Sequence, residues 1–197
     1  MYVDTGAMYR AVAWKALNEG LQLADSAAVA EFLGRTSIEC GAAEGTFRLI
    51  LDGRGMGPEL RLPEVSSMAS KVAVLPQVRR WMVAKQQDIA RKGVGVVMEG
   101  RDIGTVVLPD ADLKVYLDAS ADERAARRWK EELAEGVARQ QCEVEQEMRA
   151  RDRRDMTREH SPLEKALGAV VVDTTRLSVE EQVERVLEEA RRIMEGR

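Results

Sequence analysis

The stretch from Arg149 to Arg158, RARDRRDMTR, contains five arginines and two aspartates. An arginine guanidinium keeps its positive charge at any working pH and binds phosphate oxygens in pairs. The whole chain, in contrast, has a net charge of −4. Positive charge concentrated at one place in an acidic chain favours a small anionic ligand, so we predict phosphate chemistry. The spacing alone also fits the exposed face of a helix, where ion pairs contribute roughly a few tenths of a kcal/mol each.

Four short segments share a second pattern, an acidic residue directly after an apolar run. Hydroxyls or glycines follow each acid, and in two of the four an arginine comes close behind. Ligands bind at the carboxyl ends of the strands in an open parallel sheet, so these residues are candidates for a common site. The segments are Asp4–Arg10 after Tyr2-Val3, Glu99–Thr105 after Val94–Met98, Asp118–Ser120 after Leu113–Leu117, and Asp173–Thr175 after Val170–Val172.

The apolar runs at 94–98, 113–117 and 170–172 are nearly continuous, which is typical of parallel strands buried on both faces. Tyr2-Val3 would be the end of another strand. Helices between these strands are indicated by two capping-box patterns, one from Ser120 to Glu123 and one from Ser178 to Glu181. Alternating strands and helices predict an α/β fold, a parallel sheet with helices on both faces.

The middle of the chain departs from this alternation. The strand-like TFRLIL at Thr46–Leu51 runs into the glycine turn Asp52–Gly55, which predicts an antiparallel hairpin. Helices are expected from about Pro63 and about Pro76, because proline suits the first helical turn. We therefore predict a partial core over 1–35, an inserted antiparallel and helical lobe over 36–91, and the rest of the core over 92–197, with a lid around 128–158.

Composition excludes several classes of function. No apolar run approaches the length of a membrane span, and the N-terminus lacks the basic and apolar regions of a signal peptide. Cys40 and Cys142 are far apart and lack metal-ligand spacing, which predicts reduced thiols in a cytoplasmic protein without a metal site. The single histidine, His160, is expected in an exposed loop. The overall acidity and the 4% aromatic content argue against nucleic-acid binding.

Longer motifs make the phosphate chemistry specific. The sequence contains four such motifs in this order: VDTGAMYR at Val3–Arg10, LRLPEVSSMASKVAVLPQVR at Leu60–Arg79, EGRDIGTVVLPDADLKVYLDAS at Glu99–Ser120, and RDRRDMTR followed by SPL at Arg151–Leu163. Together they resemble the bacterial cytidylate kinases (CMP/dCMP kinases) almost from end to end. The resemblance implies a P-loop nucleoside monophosphate kinase fold and phosphoryl transfer from ATP, with Mg²⁺, to CMP or dCMP in a cytoplasmic monomer.

The resemblance also implies roles for individual residues. The monophosphate group would be held by Thr5, Arg10, Arg101 and Arg158. The cytosine edge would be read by Ser70, Arg79 and Asp102, since cytosine offers an amino donor to a carboxylate and acceptors to arginine and serine. Arg151 and Asp155 would approach the ribose and the transferring phosphate, with Arg101, Arg151 and Arg158 catalytic. Arg61 would add a further arginine from the insert, and Arg124 and Arg127 would face ATP.

Each of these residues also has an ordinary structural interpretation. Asp102 could cap a helix or a turn, and Ser70 could be a hydroxyl on a helix surface. Arg79 could be solvated beside Arg80, and Arg61 could simply end a hairpin. Only the complete set, in the family's order, favours the functional interpretation.

One family motif is absent from this sequence. G-x-x-x-x-G-K-S/T, which cradles the ATP phosphates, occurs nowhere. In the family it follows the first strand, ahead of VDTGAMYR, so the first strand and the P-loop, a unit on the order of 30 residues, are expected to be missing. The chain as given would then be a poor kinase that retains CMP binding. Three alternatives remain open: such a CMP-binding module, a kinase of the same fold acting on UMP or a small hydroxylated metabolite, and RNA binding through the arginine run.

Overall fold

A computed structural model describes residues 1–43, 46–92, 95–134, 136–158 and 161–196. These residues form two compact units, Met1–Ile103 and Gly104–Arg197. The expectations for Val94 and His160 fall outside the described residues.

The first unit is built around a parallel strand pair and a buried helix. Strand β1 (Tyr2–Asp4) pairs with β5 (Val97–Glu99), and Asp4 lies opposite Glu99 in the register. Helix α1 (Thr5–Asn18) begins directly after β1, because the Asp4 carboxylate accepts a hydrogen bond of 2.7 Å from the Ala7 amide. The core side of α1 consists of methionine, valine and alanines that are fully buried: Met8, Ala11, Val12, Ala13 and Ala16.

The rest of the first unit contains an antiparallel hairpin and helices. The predicted hairpin joins Thr46–Leu51 to Arg54–Gly55, with Leu51 opposite Arg54, and its turn uses Asp52 and Gly53 at positive φ. Thr46–Leu51 also pairs with the preceding strand, again antiparallel, with Ile38 opposite Leu51. The hairpin and the helix starts at Pro63 and Pro76 are thus confirmed. The elements are α2 (Ser26–Gly34), β2 (Ile38–Ala43), β3 (Thr46–Leu51), β4 (Arg54–Gly55), a 3₁₀ helix (Pro58–Arg61), α3 (Pro63–Val72) and α4 (Pro76–Lys92).

In its described residues, the second unit contains a parallel strand pair and three helices. A π-helical turn (Ile103–Val107) comes before β6 (Val115–Asp118) in the chain, and β6 pairs with β7 (Val170–Asp173) so that Asp118 lies opposite Asp173. The capping box at the start of α7 is confirmed, since the side chains of Ser178 and Glu181 each accept a hydrogen bond from the other's amide. The elements are β6 (Val115–Asp118), α5 (Ala121–Ala134), α6 (Gln141–Thr157), β7 (Val170–Asp173) and α7 (Val179–Glu195).

The capping box predicted at Ser120 is only half correct. The Ser120 hydroxyl accepts a hydrogen bond of 3.2 Å from the Glu123 amide. The Ser120 amide, however, donates to the Thr175 hydroxyl, while the Glu123 carboxylate pairs with Arg127. A partner distant in sequence therefore replaces the reciprocal bond.

Two expectations about the strands were wrong. Each strand ends on the acid that was expected to follow it, because backbone pairing continues through that residue. The strands are also not buried on both faces: Val97 is 69% exposed, Leu117 59% and Val171 48%. The physical reason is that the parallel strands of the described residues form two-stranded pairs, not one broad sheet, and two strands leave apolar side chains uncovered. The described residues are thus α/β, with parallel strand pairs and helices. Within the described ranges, no helix combines the length and apolar character needed to cross a membrane.

Candidate active site

The carboxyl end of the β1–β5 pair brings together two of the motifs identified in the sequence. The Thr5 hydroxyl, buried at the first turn of α1, donates a hydrogen bond of 2.5 Å to the Glu99 carbonyl. A Cβ added to Gly100 would lie 2.5 Å from the Thr5 hydroxyl oxygen and 2.8 Å from Ile103 Cδ1. Only glycine therefore allows the 99–102 segment to approach α1 this closely.

Arg10 lies one and a half turns further along α1. Its Nη2 pairs with Asp4 Oδ2 at 2.9 Å, so the same carboxylate caps the helix and orients the guanidinium. Arg10 Nε is buried, and none of the described residues offers it a hydrogen-bond acceptor. A buried charged donor without an acceptor is costly in a folded protein. Arg10 is consequently suited to bind an anionic ligand.

A second cluster joins α4 to the segment after β5. Arg79 of α4 is 4% exposed and Asp102 is 6% exposed, and Arg79 Nη2 forms an ion pair with Asp102 Oδ2. Arg79 Nη1 also donates a 3.2 Å hydrogen bond to the Ala73 carbonyl, and the guanidinium carbon lies 5.9 Å from the centre of the Tyr9 ring. Arg79 Nε is buried, with no acceptor in the described part of the chain. The alternative that Arg79 is a solvated helix residue is therefore wrong.

Burial makes this ion pair unusual for a purely structural contact. Taking two charges out of water carries a desolvation cost that the attraction between them often fails to outweigh. A buried arginine beside a buried aspartate offers donors and an acceptor side by side. That combination suits a planar ligand with both kinds of group on one edge.

The other predicted residues of the first unit are more accessible to solvent than Arg79 and Asp102. Ser70, half-buried on α3, donates a weak 3.4 Å hydrogen bond to the Ser66 carbonyl. Arg61 is exposed at the end of the 3₁₀ helix, whose Leu60 is buried. Arg101 is exposed between Gly100 and Asp102.

In the second unit, the end of α6 groups three predicted residues. The Asp155 carboxylate lies 3.4 Å from Arg158 Nη1 and 3.9 Å from Arg151 Nε. Arg158 is the C-cap of α6, with a side chain 7% exposed whose Nε donates to the Ser161 carbonyl at 2.5 Å. Arg151 is 47% exposed. Asp155 thus holds one buried and one accessible guanidinium on the same helix end.

The two arginines predicted to face ATP have protein partners. Arg124 donates from Nε to the Ala119 carbonyl at 3.1 Å and pairs through Nη1 with Asp152 at 2.5 Å. Arg127 bonds through Nη2 to the Thr174 carbonyl at 2.6 Å, through Nη1 to the Thr174 hydroxyl, and through Nε to Glu123. Arg127 therefore joins α5 to the end of β7, while Arg124 joins it to α6.

Four further residues orient those to which the resemblance gives roles. Asp4 orients Arg10, Tyr9 lies against Arg79, Asp152 pairs with Arg124, and the buried Thr174 holds Arg127. Asp4 and Thr174 lie in the strand-end segments that the sequence marks as candidates for a common site. The contacts of Tyr9 and Asp152 join different elements, which residue spacing does not reveal.

The described residues contain no group of three or more His, Cys, Asp or Glu side chains arranged to hold a metal ion. Proteins usually bind Mg²⁺ through one or two carboxylates together with substrate phosphates. The described residues therefore offer no three-ligand protein cage for the ion.

Comparison with known proteins gives one consistent result. The family model described as cytidylate kinase matches residues 1–192. The cytidylate kinase of Streptococcus pneumoniae (strain 70585) is 45% identical over 194 residues, which cover 98% of this chain and 86% of the relative. That of Pelotomaculum thermopropionicum is 46% identical over 188 residues, covering 95% and 83%. That of Carboxydothermus hydrogenoformans is 45% identical over 187 residues, covering 95% and 84%.

Proposed function

Because the chain belongs to the cytidylate kinase family, we propose that it transfers the γ-phosphoryl group of ATP to CMP or dCMP, giving CDP or dCDP. The buried Arg79–Asp102 pair is the observation that carries this proposal. It offers guanidinium donors and a carboxylate acceptor in a nearly water-free position. Ser70 supplies a further hydroxyl on the neighbouring helix.

The chemistry of this pair favours cytosine over uracil. The exocyclic amine of cytosine donates to the Asp102 carboxylate, and its ring nitrogen and carbonyl accept from Arg79. Uracil would place a carbonyl oxygen against the carboxylate, an unpaired and repulsive contact. Sites built to hydrogen-bond one group reject the wrong one by large factors, and we expect at least about 100-fold discrimination against UMP.

The arginines would supply the electrostatics of phosphoryl transfer. The transition state spreads negative charge over the equatorial oxygens, so catalysis depends on positioning and on fixed positive charge. We assign Thr5, Arg10, Arg101 and Arg158 to the acceptor phosphate, with Arg101, Arg151 and Arg158 catalytic. The Arg10 side chain, 27% exposed and oriented by Asp4, supports this assignment.

The donor side rests on fewer observations. We assign Arg124 and Arg127 to the ATP side, Arg151 and Asp155 to the ribose and the transferring phosphate, and Arg61 to the insert's contribution to the acceptor site. ATP would enter as its Mg²⁺ complex, in which the ion neutralises phosphate charge. The expectation of a missing first strand and P-loop stays a prediction.

We further infer action as a monomer in the cytoplasm. Cys40 and Cys142 are both free thiols, which suits a reducing compartment. Arg10, Arg79 and Asp102 all come from one chain, so this part of the acceptor site needs no second subunit.

The test compares phosphorylation of CMP, dCMP, UMP and AMP by ATP, with Asp102→Asn as variant and the exposed Lys165→Met as control. We expect slow turnover on CMP and dCMP, in line with the predicted absence of the P-loop, at least about 100-fold lower kcat/KM on UMP, and loss of that discrimination in Asp102→Asn only. Equal turnover on UMP would contradict the proposal. CMP binding by calorimetry without ATP binding or turnover would instead support a CMP-binding module.

A further inference from the structure

The last turns of α1 contain a buried charge that the proposed chemistry does not use. Lys15 is 6% exposed. Its ammonium lies 2.6 Å from Asp52 Oδ2, 2.9 Å from the Thr36 hydroxyl oxygen and 3.2 Å from the Arg35 carbonyl oxygen. It also lies 5.2 Å from the centre of the Phe32 ring. The ion pair and the two hydrogen bonds hold the buried ammonium in one position.

The partners of Lys15 lie at both ends of the β2–β3 hairpin. Arg35 and Thr36 come directly before β2, at the predicted start of the inserted lobe. Asp52 comes directly after β3, at φ 49°. Its Oδ1 accepts a 2.7 Å hydrogen bond from the Ser37 amide, and its own amide donates to the Ser37 carbonyl. One ammonium therefore clamps the entry and the exit of the hairpin to α1.

Charge balance explains why the clamp is stable. Burial tends to raise the pKa of Asp52, but hydrogen bonds from Lys15 and the Ser37 amide, with the charges of Lys15 and Arg35, hold that pKa below its ordinary value. The carboxylate is thus ionised at neutral pH and pairs with the ammonium. The Lys15 side chain is 7% exposed and that of Asp52 is 37% exposed, so removing Asp52 would leave the buried ammonium without its counter-charge.

The helix held by this clamp is the one that presents the acceptor residues. Thr5 lies at the opposite end of α1 from Lys15, and Arg10 lies midway between them. The clamped hairpin leads through the 3₁₀ helix to α3 and α4, which carry Ser70 and Arg79. The orientation of α1 relative to the hairpin therefore sets how the phosphate-binding and base-reading residues face each other.

We propose that Lys15, through Asp52, is a positioning residue that fixes the inserted lobe on α1 in the geometry that binds the acceptor nucleotide. This inference rests on the proposed function, because it assumes that the acceptor is CMP. Lys15 does not touch the ligand in this proposal. Its effect should appear in acceptor binding and not in the chemical step or in ATP binding.

The variants are Lys15→Met, which keeps the length of the side chain, and Asp52→Asn, which keeps a residue tolerant of positive φ. The double variant measures the coupling between them, and the exposed Lys165→Met is the control. The readouts are kcat, KM for CMP, KM for ATP, and amide hydrogen exchange without nucleotide.

We expect KM for CMP to rise about five- to tenfold in each single variant, with less than a further twofold rise in the double variant, as for residues acting as one unit. Turnover number and KM for ATP should stay within about twofold of the unaltered protein. Amides of the hairpin and α3 should exchange faster, while those of α5 to α7 should not change. Asp52→Asn alone decides the kinetic comparison if Lys15→Met does not fold.

Lower thermal stability with an unchanged KM for CMP would overturn the proposal, since a merely structural lysine has that effect. Equal rises in KM for CMP and ATP would also contradict it. Failure of the unaltered protein to bind CMP would overturn the proposed function and the predicted effect on CMP. The exchange comparison would then still show whether Lys15 holds the hairpin and α3.

Discussion

At the scale of single residues, Gly100 is the position where one added carbon has the clearest consequence. In Gly100→Ala the new Cβ would lie 2.5 Å from the Thr5 hydroxyl oxygen, so the hydrogen bond from Thr5 to the Glu99 carbonyl must break. We expect kcat/KM for CMP to fall by at least about 100-fold, the size of effect typical of a misplaced active-site group. A steady-state assay measures this.

Gly34→Ala is the matched control for that change. An alanine Cβ at Gly34, the last residue of α2, would meet no atom within 4 Å. It should leave activity unchanged and stabilise the protein slightly, because alanine restricts the unfolded chain. Full activity in Gly100→Ala would show that the contact between α1 and the 99–102 segment is unimportant for the reaction.

Asp52 leads to a prediction about pH. Burial raises the pKa of Asp52, but the hydrogen bonds from Lys15 and the Ser37 amide lower it by more. The pKa of Asp52 is therefore depressed in the folded protein. A depressed carboxylate pKa contributes stability that is fully present above its unfolded value of about 3.9 and is lost as pH falls through the folded value. The difference in unfolding free energy between the unaltered protein and Asp52→Asn should therefore be constant from about pH 6 to about pH 8, because this range lies well above the unfolded pKa of about 3.9. The difference should shrink in acid.

Urea unfolding at a series of pH values measures that difference. Glu19 pairs with Arg35, which is 52% exposed, whereas the partner of Asp52, Lys15, is 7% exposed. Glu19→Gln is the comparison variant, and its effect should be smaller because a pair with an exposed cation contributes little. A difference for Asp52→Asn that stays constant down to pH 3 would contradict the account of the clamp.

The capping box of α7 supports a prediction about stability at the scale of elements. Ser178 caps the first turn and shares reciprocal hydrogen bonds with Glu181. Ser178→Ala should destabilise the second unit by about 1 kcal/mol, the usual cost of losing an N-cap hydroxyl. Ser67, exposed inside α3, supplies the control: Ser67→Ala should be neutral or slightly stabilising, since alanine favours a helix interior. Equal effects of the two changes in thermal unfolding would argue against the cap.

Elements are also where the sequence was most informative. Three predictions are confirmed: the hairpin, the helix starts at Pro63 and Pro76, and the α7 cap. Each depends on local chemistry, namely a glycine turn, the fixed φ of proline and a capping hydroxyl. The burial of the strands depends on what covers them. The exposed Val97 and Leu117 show that an apolar run indicates a strand but not its neighbours.

At the scale of the whole molecule, the contacts that build the candidate site are distant in sequence. Thr5 reaches the Glu99 carbonyl across 94 positions, and Arg79 reaches Asp102 across 23. Residue types and motif order predicted the candidate residues, because phosphate and cytosine would require these functional groups. Only the tertiary structure shows that Asp4 orients Arg10 and that Tyr9 lies against Arg79.

The proposed activity requires that one pyrimidine nucleotide binds beside the buried Arg79–Asp102 pair. Isothermal titration of the protein with CMP, and separately with UMP, tests this without requiring ATP. We predict one CMP per chain, at least about 100-fold weaker UMP binding, and loss of that preference in Asp102→Asn. No CMP binding, or equal affinity for CMP and UMP in the unaltered protein, would contradict the central claim.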